Sequence, residues 1–237
     1  MKSLHPLQLE ILQKLLFSTS LRFTDLRPNE EVENNQLDFH LHKLIELSYV
    51  EKRGLGYGLT SLGKEYAGRI DTSNRLITRQ GKIGVIIGCI RERNGENEFL
   101  FYTRLKQPFF ECQGFPTGKI QFGESIVETA ERELFEETGL TGKASVIQLT
   151  HYRVRAIGTS ELLEDKYLFL CKVSEPEGEL IERSEEGLYY WVKESEVETV
   201  ITNPFDPIDE YPRGIELLKK DNPMVEIIEI EHEGKKF

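Results

Sequence analysis

The chain is 237 residues long, which exceeds the commonest single domain, so two compact units are expected. Hydrophobic residues make up 38% and charged residues 30%, which fits a soluble globular protein, and the absence of an apolar run of about 18 residues excludes a membrane-spanning helix. A formal net charge of −11 at pH 7 argues against a protein that coats nucleic acid or acidic membranes nonspecifically.

The first residues and the cysteines indicate the cellular compartment. The opening sequence MKSLHPLQLE lacks the apolar core of a signal peptide. Cys89, Cys112 and Cys171 are spread widely, without the spacing of a disulfide framework or a zinc site. We therefore expect a cytoplasmic protein with reduced thiols and no membrane partner.

Residues 1–72 are predicted to form helices followed by a small hairpin. Apolar residues recur at helical spacing near the start of this segment, with Pro6 at the first turn. The predicted elements are a helix over 4–17, a short helix around Thr24–Leu26, a helix over Asn34–Leu47, strands over Tyr49–Lys52 and Tyr57–Thr60, and a helix from about Ser61.

This order of elements resembles a winged helix-turn-helix domain. The resemblance is carried by the pattern Leu-x-x-Leu-x-x-x-x-Tyr-Val, a glycine-rich wing and Leu-Thr-x-x-Gly at residues 59–63. It implies that the helix over Asn34–Leu47 faces the major groove of DNA and that Lys52 or Arg53 lies at the wing. However, the charges of residues 1–72 nearly cancel, so a DNA contact and a protein-binding or dimerising role both stay open.

A second domain is predicted after a polar, aperiodic linker at residues 73–80. Its predicted elements are strands over Lys82–Arg91, Glu98–Leu105, Ala144–Arg155, Glu164–Val173 and Leu188–Val192, and a short helix over Lys193–Val200. We place this domain at residues 81–200. Residues 201–237 are predicted to be a C-terminal extension with a helix in GIELLKK and a strand over Val225–Glu231, at a sheet edge or between protomers.

Another helix is predicted inside the second domain, after Ser125. Ser125 precedes Glu128 at capping-box spacing, and an apolar stripe follows at helical intervals. Gly139 is the residue expected to end this helix.

Three acidic residues would share one face of this helix. Glu133, Glu136 and Glu137 stand at i, i+3 and i+4. Like charges packed together repel one another, and a hard divalent cation such as Mg²⁺ or Mn²⁺ would remove the conflict. The spacing therefore points to a metal site.

The stretch from Gly118 to Leu140, GKIQFGESIVETAERELFEETGL, resembles the Nudix box. The residues that fill its fixed positions are Gly118, Glu124, Arg132, Glu133, Leu134, Glu136, Glu137, Gly139 and Leu140. Thr117 departs from the family, which usually leads in with Pro-Gly-Gly. The alternative is a solvated acidic helix in which Arg132 simply pairs with Glu136 or Glu128.

The resemblance implies a fold and a site. The expected fold class is α+β or α/β, with the winged helix-turn-helix-like domain followed by a Nudix fold, a mixed sheet sandwiched between helices. Metal ligands would be Glu133, Glu136, Glu137 and the Gly118 carbonyl. Arg132 would orient a glutamate, and Glu124 would pair with Arg132 or reach the metal through water.

Residues outside the box are candidates for the same site. Glu185 or Glu186 could approach the metal from the far side of the cleft, and one of the box glutamates or a later one such as Glu186 would take the water proton. Arg104 could touch a substrate phosphate or be a solvated strand-end arginine. Phe109, Phe110 and Phe115 flank the entry to the box, where one could stack on a base, although core packing is the commoner role of such aromatics.

The expected function is hydrolysis of the pyrophosphate bond in a nucleoside diphosphate linked to another moiety, with Mg²⁺ or Mn²⁺ as cofactor. The alternative is a transcriptional regulator that senses a nucleotide and binds DNA through residues 1–72. A homodimer is expected from its general frequency. Selectivity among nucleotides depends on loops outside the box, so the sequence leaves the substrate open.

Overall fold

The computed structural model describes residues 4–71, 77, 79–207, 210–221 and 224–234. The chain divides into two compact units, residues 1–80 and residues 81–237. Most of the predicted linker, residues 73–76 and 78, lies outside the described residues. None of the helices in the described ranges is long and apolar enough to cross a membrane.

The first unit has the predicted order of helices and hairpin. Its elements are α1 (Pro6–Leu16), a 3₁₀ turn (Phe23–Leu26), α2 (Asn34–Glu46), the antiparallel strands β1 (Val50–Arg53) and β2 (Gly56–Leu59), and α3 (Ser61–Ala67). The predicted helical and strand segments of this unit are thus confirmed. Its core is formed mainly by leucines from the helices, because these apolar positions recur on one face of each helix.

The second unit is built on an eight-stranded mixed sheet. Its strands are β3 (Lys82–Arg93), β4 (Glu96–Arg104), β5 (Gln113–Gly114), β6 (Thr117–Lys119), β7 (Ala144–Ala156), β8 (Leu162–Ser174), β9 (Gly187–Lys193) and β10 (Glu226–Gly234). The sheet order is β10-β7-β8-β3-β4-β5, with β6 paired to β3 and β9 to β4. The pairs β3–β8 and β10–β7 are parallel, and the others are antiparallel.

Helices flank this sheet. They are α4 (Ile126–Thr138), α5 (Val197–Val200) after a 3₁₀ turn (Glu194–Glu196), and α6 (Tyr211–Lys219). Along β4, Phe99 and Phe101 pack in the core beside α6, whereas Leu100 and Tyr102 pack in the core beside α4. This two-residue alternation places α4 and α6 on opposite faces. The predicted mixed sheet sandwiched between helices is confirmed.

Helix α4 begins and ends with the capping residues predicted from the sequence. The Ser125 N–H donates to Glu128 Oε2 at 2.9 Å, and the Glu128 N–H donates to Ser125 Oγ at 3.2 Å, which completes a capping box. Gly139 ends the helix in the left-handed region, with φ of 71°.

Residues after 200 contribute to the second unit's core and sheet. Ile201, Tyr211, Ile215 and Leu218 are buried in the cluster beside α6. The predicted C-terminal strand is present as β10, at the sheet edge beside β7.

Candidate active site

A cleft of about 410 Å³ opens in the second unit and carries both signs of charge. Strands β3, β4, β6 and β8, helix α4 and the segments before β9 and α6 contribute to its wall. Its acidic lining residues are Glu133, Glu137, Glu164, Glu186 and Asp206. Its basic lining residues are Lys82, Arg104, Lys106, Lys119 and Lys166.

Glu137 is the box carboxylate that is buried in the cleft, with 8% of its surface exposed, and Glu164 of β8 is buried in the same cleft at 3%. The Tyr189 hydroxyl donates a hydrogen bond to Glu137 Oε2 at 2.9 Å. Burial raises the pKa of Glu137 to about 7, and the negative charges of Glu133 and Glu186 act in the same direction. Glu133 and Glu186 are therefore close enough to disfavour the charge of Glu137, which a divalent cation would compensate.

Arg132 joins the acidic residues of the box. Its Nε lies 2.5 Å from Glu124 Oε1 and its Nη2 lies 3.0 Å from Glu124 Oε2, which is a bidentate ion pair. Its Nη1 lies 3.0 Å from Glu133 Oε1 and 2.8 Å from Glu136 Oε2. The predicted pairing of Arg132 with Glu124 is confirmed, and so is the ordinary i to i+4 pair with Glu136.

The ion pair of Glu124 predicts a dependence of stability on pH. Hydrogen bonds from Arg132 hold the pKa of Glu124 at about 2, below its ordinary 4.5. A lowered pKa stabilises the fold above the ordinary value and loses that effect as pH falls through the folded value. We expect the Tm difference between wild type and Glu124→Gln to be full at neutral pH and to shrink from about pH 4.5 downward. Circular dichroism melts across this range measure it, and a constant difference would contradict the pairing.

Gly118 lies against Glu133, and its lack of a side chain allows this contact. A Cβ at Gly118 would lie 2.2 Å from Glu133 Cγ and 2.6 Å from Glu133 Cδ. The neighbouring Lys119 N–H donates to Glu133 Oε1 at 3.2 Å. Strand β6 therefore holds the Glu133 carboxylate through its backbone, and any side chain at position 118 would force Glu133 to move.

The structure brings some predicted site residues together and separates others. Glu133, Glu137 and Gly118 line the cleft, together with Glu186 from the segment before β9. Glu136 does not line it, because its side chain is 55% exposed and paired with Arg132. Helical spacing alone predicts that Glu136 lies on the same face as Glu133 and Glu137 and does not reveal its ion pair with Arg132.

The cleft offers oxygen ligands of the kind that Mg²⁺ and Mn²⁺ prefer. The donors are the carboxylates of Glu133, Glu137 and Glu186, and Gly118 lines the same cleft. Within the described ranges, no three His, Cys, Asp or Glu side chains already converge at metal-binding geometry. The chemistry of these donors therefore fits a divalent ion. In the structure Glu133 is held by contacts with Arg132 and the Lys119 backbone, so the ligands are not yet arranged around one point.

Aromatic residues have divided roles. Phe115 stacks on Phe101 in the core with ring centroids 4.6 Å apart, which is the core-packing role expected from the sequence. It also borders the cleft. Phe109 lines the cleft with its ring 6.0 Å from Phe205. Lys166 Nζ lies 5.2 Å from the Phe109 ring centroid.

Several residues that line the cleft, or contact its acids from behind, were not predicted from the sequence. Tyr189 stands in the run LYYWV, where alternation indicates only a strand, and it lies 52 residues from Glu137. Lys166 and Glu164 belong to β8, and Asp206 follows β9. The charged run over residues 164–166 near the start of the otherwise largely apolar β8 was the available signal, because a charge in a buried strand needs a partner.

The chain is similar to one known protein family and to several solved structures. The family model described as the NUDIX domain matches residues 82–212. A mutator MutT protein from Bacillus halodurans is 27% identical, with 60% of this chain and 86% of that chain covered and a TM-score of 0.45. The NUDIX domain of Shewanella oneidensis NrtR, solved with ADP ribose, is 16% identical, with 68% and 100% covered and a TM-score of 0.51. The matched residues 82–212 include all of α4 and most of the cleft wall.

Proposed function

Because the chain belongs to the Nudix family of pyrophosphohydrolases, we propose that it is a divalent-metal-dependent hydrolase. It would cleave the pyrophosphate bond of a nucleoside diphosphate linked to another moiety. The observation that carries the proposal is the arrangement of Glu133 and Glu137 on one face of α4, with Gly118 beside them and Glu186 in the same cleft. This arrangement supplies hard oxygen ligands next to a space large enough for a substrate.

The division of labour follows from the chemistry of a diphosphate. Its anionic oxygens repel a nucleophile, and a bound Mg²⁺ or Mn²⁺ supplies charge neutralisation and a more acidic water. Glu133, Glu137 and the Gly118 carbonyl would hold the ion, and Glu136, the third acid of the box, would join them only by turning away from Arg132 toward the cleft. Glu186 or one of the box glutamates would accept the proton of the attacking water.

Arg132 and Glu124 would act on the carboxylates instead of the substrate. The bidentate pair fixes the guanidinium, which then holds Glu133 and Glu136 in place. Neither Arg132 nor Glu124 lines the cleft. Their role is to orient the groups that bind the ion.

The basic side chains support a polyanionic substrate. Five lysine and arginine side chains line one cleft in a protein whose net charge is −11. Lys106 pairs with Glu186, and Lys82 Nζ lies 3.0 Å from Glu164 Oε2. The five acids of the cleft balance these cations, so a divalent ion held by the acids would leave the cleft with a net positive charge that attracts phosphate groups.

A substrate panel with Mg²⁺ or Mn²⁺ tests the proposal. ADP-ribose leads the panel, because it belongs to the proposed class and occupies the Shewanella oneidensis domain; dinucleoside polyphosphates and nucleoside triphosphates complete it. Chromatography of released nucleotides should show turnover of at least one compound that disappears when the metal is chelated. If no compound is hydrolysed in the presence of either metal, the proposal is wrong.

The alternative function is a nucleotide-sensing regulator with a winged helix-turn-helix-like domain at residues 1–72. The observation that favours it is the order of helices and hairpin in the first unit. The charges favour a protein partner or a second copy of the chain over DNA, because Lys43 pairs with Glu46 at 2.7 Å and Arg53 with Glu51 at 2.7 Å. A gel shift of promoter DNA that weakens with salt would support the regulator, and its absence at low salt would contradict DNA binding.

A further inference from the structure

Three hydrogen bonds connect the segment before β9 to the buried carboxylate of α4. The backbone N–H of Glu186 donates to Ser184 Oγ at 3.0 Å. The Ser184 hydroxyl donates to the Tyr189 hydroxyl oxygen at 3.4 Å, and the Tyr189 hydroxyl donates to Glu137 Oε2 at 2.9 Å. We call this chain of contacts the Ser184–Tyr189 relay.

Packing and backbone hydrogen bonds hold the residues of the relay in position. Tyr189 is 1% exposed, belongs to β9 opposite Tyr102 of β4, and stacks on the Tyr102 ring at 5.7 Å. The Ser184 N–H donates to the Gly187 carbonyl at 3.0 Å, which closes the turn that carries Glu186. The Leu105 N–H donates to the Glu186 carbonyl at 2.9 Å and ties that turn to the end of β4. A phenol held in this way has little freedom to follow a moving carboxylate.

The donors and acceptors fix the direction of the relay. Each hydroxyl has one proton to give, and the Ser184 proton goes to Tyr189, so the Tyr189 proton is available for Glu137. Glu137 is thus the acceptor at the end of the chain. Its other oxygen, Oε1, has no hydrogen-bond partner in the described part of the chain, so one oxygen is anchored while the other is left for a ligand.

We propose that Ser184 and Tyr189 are positioning residues, and that their relay sets Glu137 of α4 against Glu186 of the facing turn so that both carboxylates meet one divalent cation. The inference rests on the proposed function, since it assigns that site a divalent ion. Tyr189 and Ser184 touch neither the substrate nor the ion in this arrangement. They act through the two glutamates, as residues behind metal ligands commonly do.

The experiment compares Tyr189→Phe with Tyr190→Phe. Both remove one hydroxyl from β9, but the Tyr190 hydroxyl contacts Thr103 Oγ1 at 3.1 Å and Gln113 Nε2 at 2.9 Å, away from Glu137. The readouts are the Mn²⁺ dissociation constant, from the electron paramagnetic resonance signal of free Mn²⁺, and kcat and KM for the best substrate of the panel. Tyr189→Phe should weaken Mn²⁺ binding by about 10-fold or more and lower kcat, with KM nearly unchanged. Tyr190→Phe should match wild type.

Ser184 provides a second test that does not disturb the aromatic core. Ser184→Ala should weaken Mn²⁺ binding in the same direction, and Ser184→Thr, which restores a hydroxyl, should recover it. Wild-type Mn²⁺ affinity and kcat in both Tyr189→Phe and Ser184→Ala would overturn the relay. Failure of the wild type itself to bind Mn²⁺ and to hydrolyse the panel would overturn the proposed function, so the two failures are distinguishable.

Discussion

Replacing Glu137 by glutamine is expected to lower kcat by at least ~100-fold in the presence of Mg²⁺. Glutamine keeps the shape of the side chain, and its carbonyl can still accept the hydrogen bond of Tyr189. What is lost is the negative charge of a buried carboxylate that faces Glu133 and Glu186. The loss should therefore fall on ion binding and turnover, with the fold intact. Steady-state kinetics with the hydrolysed compound of the panel measure it.

Glu131→Gln is the matched control. Glu131 lies on the same helix, where it accepts the Ala144 N–H at 3.1 Å and pairs with Lys143 at 3.5 Å, and it does not line the cleft. Its replacement should leave kcat near the wild-type value. If Glu137→Gln also retained wild-type turnover, the assignment of the α4 carboxylates to the site would be wrong.

Replacing Gly118 by alanine should have an effect of similar size through sterics alone. The added methyl group would meet Glu133 Cγ at 2.2 Å, a distance that real side chains do not adopt, so Glu133 must leave its position. Displacement of a catalytic group by about 1 Å can cost about 100-fold in rate. We expect kcat to fall by about that factor, while far-ultraviolet circular dichroism stays unchanged because β6 is a short strand at the cleft.

Gly214→Ala separates this steric effect from a general effect of glycine replacement. Gly214 lies in α6, and the nearest heavy atom to an added Cβ is Phe115 Cε2 at an ordinary 3.7 Å. Alanine favours a helix over glycine, so this variant should be active and at least as stable as wild type. Full activity of Gly118→Ala would show that the position of Glu133 is not critical.

The parts of the fold that depend on local signals were predictable. Helix α4 was predicted with both ends, because Ser125 and Glu128 form a capping box and Gly139 adopts the left-handed conformation. The strands were predicted from apolar runs rich in β-branched residues. Their pairing was not predictable, since nothing local specifies that β10 lies parallel to β7 or β8 parallel to β3.

The candidate site divides in the same way. Glu133, Glu137 and Gly118 were found because the box fixes their spacing within one stretch of chain. Lys166 reaches the cleft, and Tyr189 reaches Glu137 from behind it, only through the pairing of distant strands, so the sequence does not reveal their partners. Helical spacing predicts Glu136 as a ligand, and the structure adds that it pairs with Arg132, whose guanidinium also engages Glu124 and Glu133.

Two residues of the cleft lie far beyond the box in the sequence, so the ribosome synthesises them after the box helix. Phe205 and Asp206 border the cleft, and Tyr211, Ile215 and Leu218 complete the core beside α6. Translation delivers the box helix first and these residues some 70 residues later, about four to fourteen seconds at ordinary ribosomal speeds. A nascent chain that has exposed α4 therefore still lacks one wall of its pocket. We therefore expect newly made protein to gain its activity only after the segment beyond residue 200 has left the ribosome.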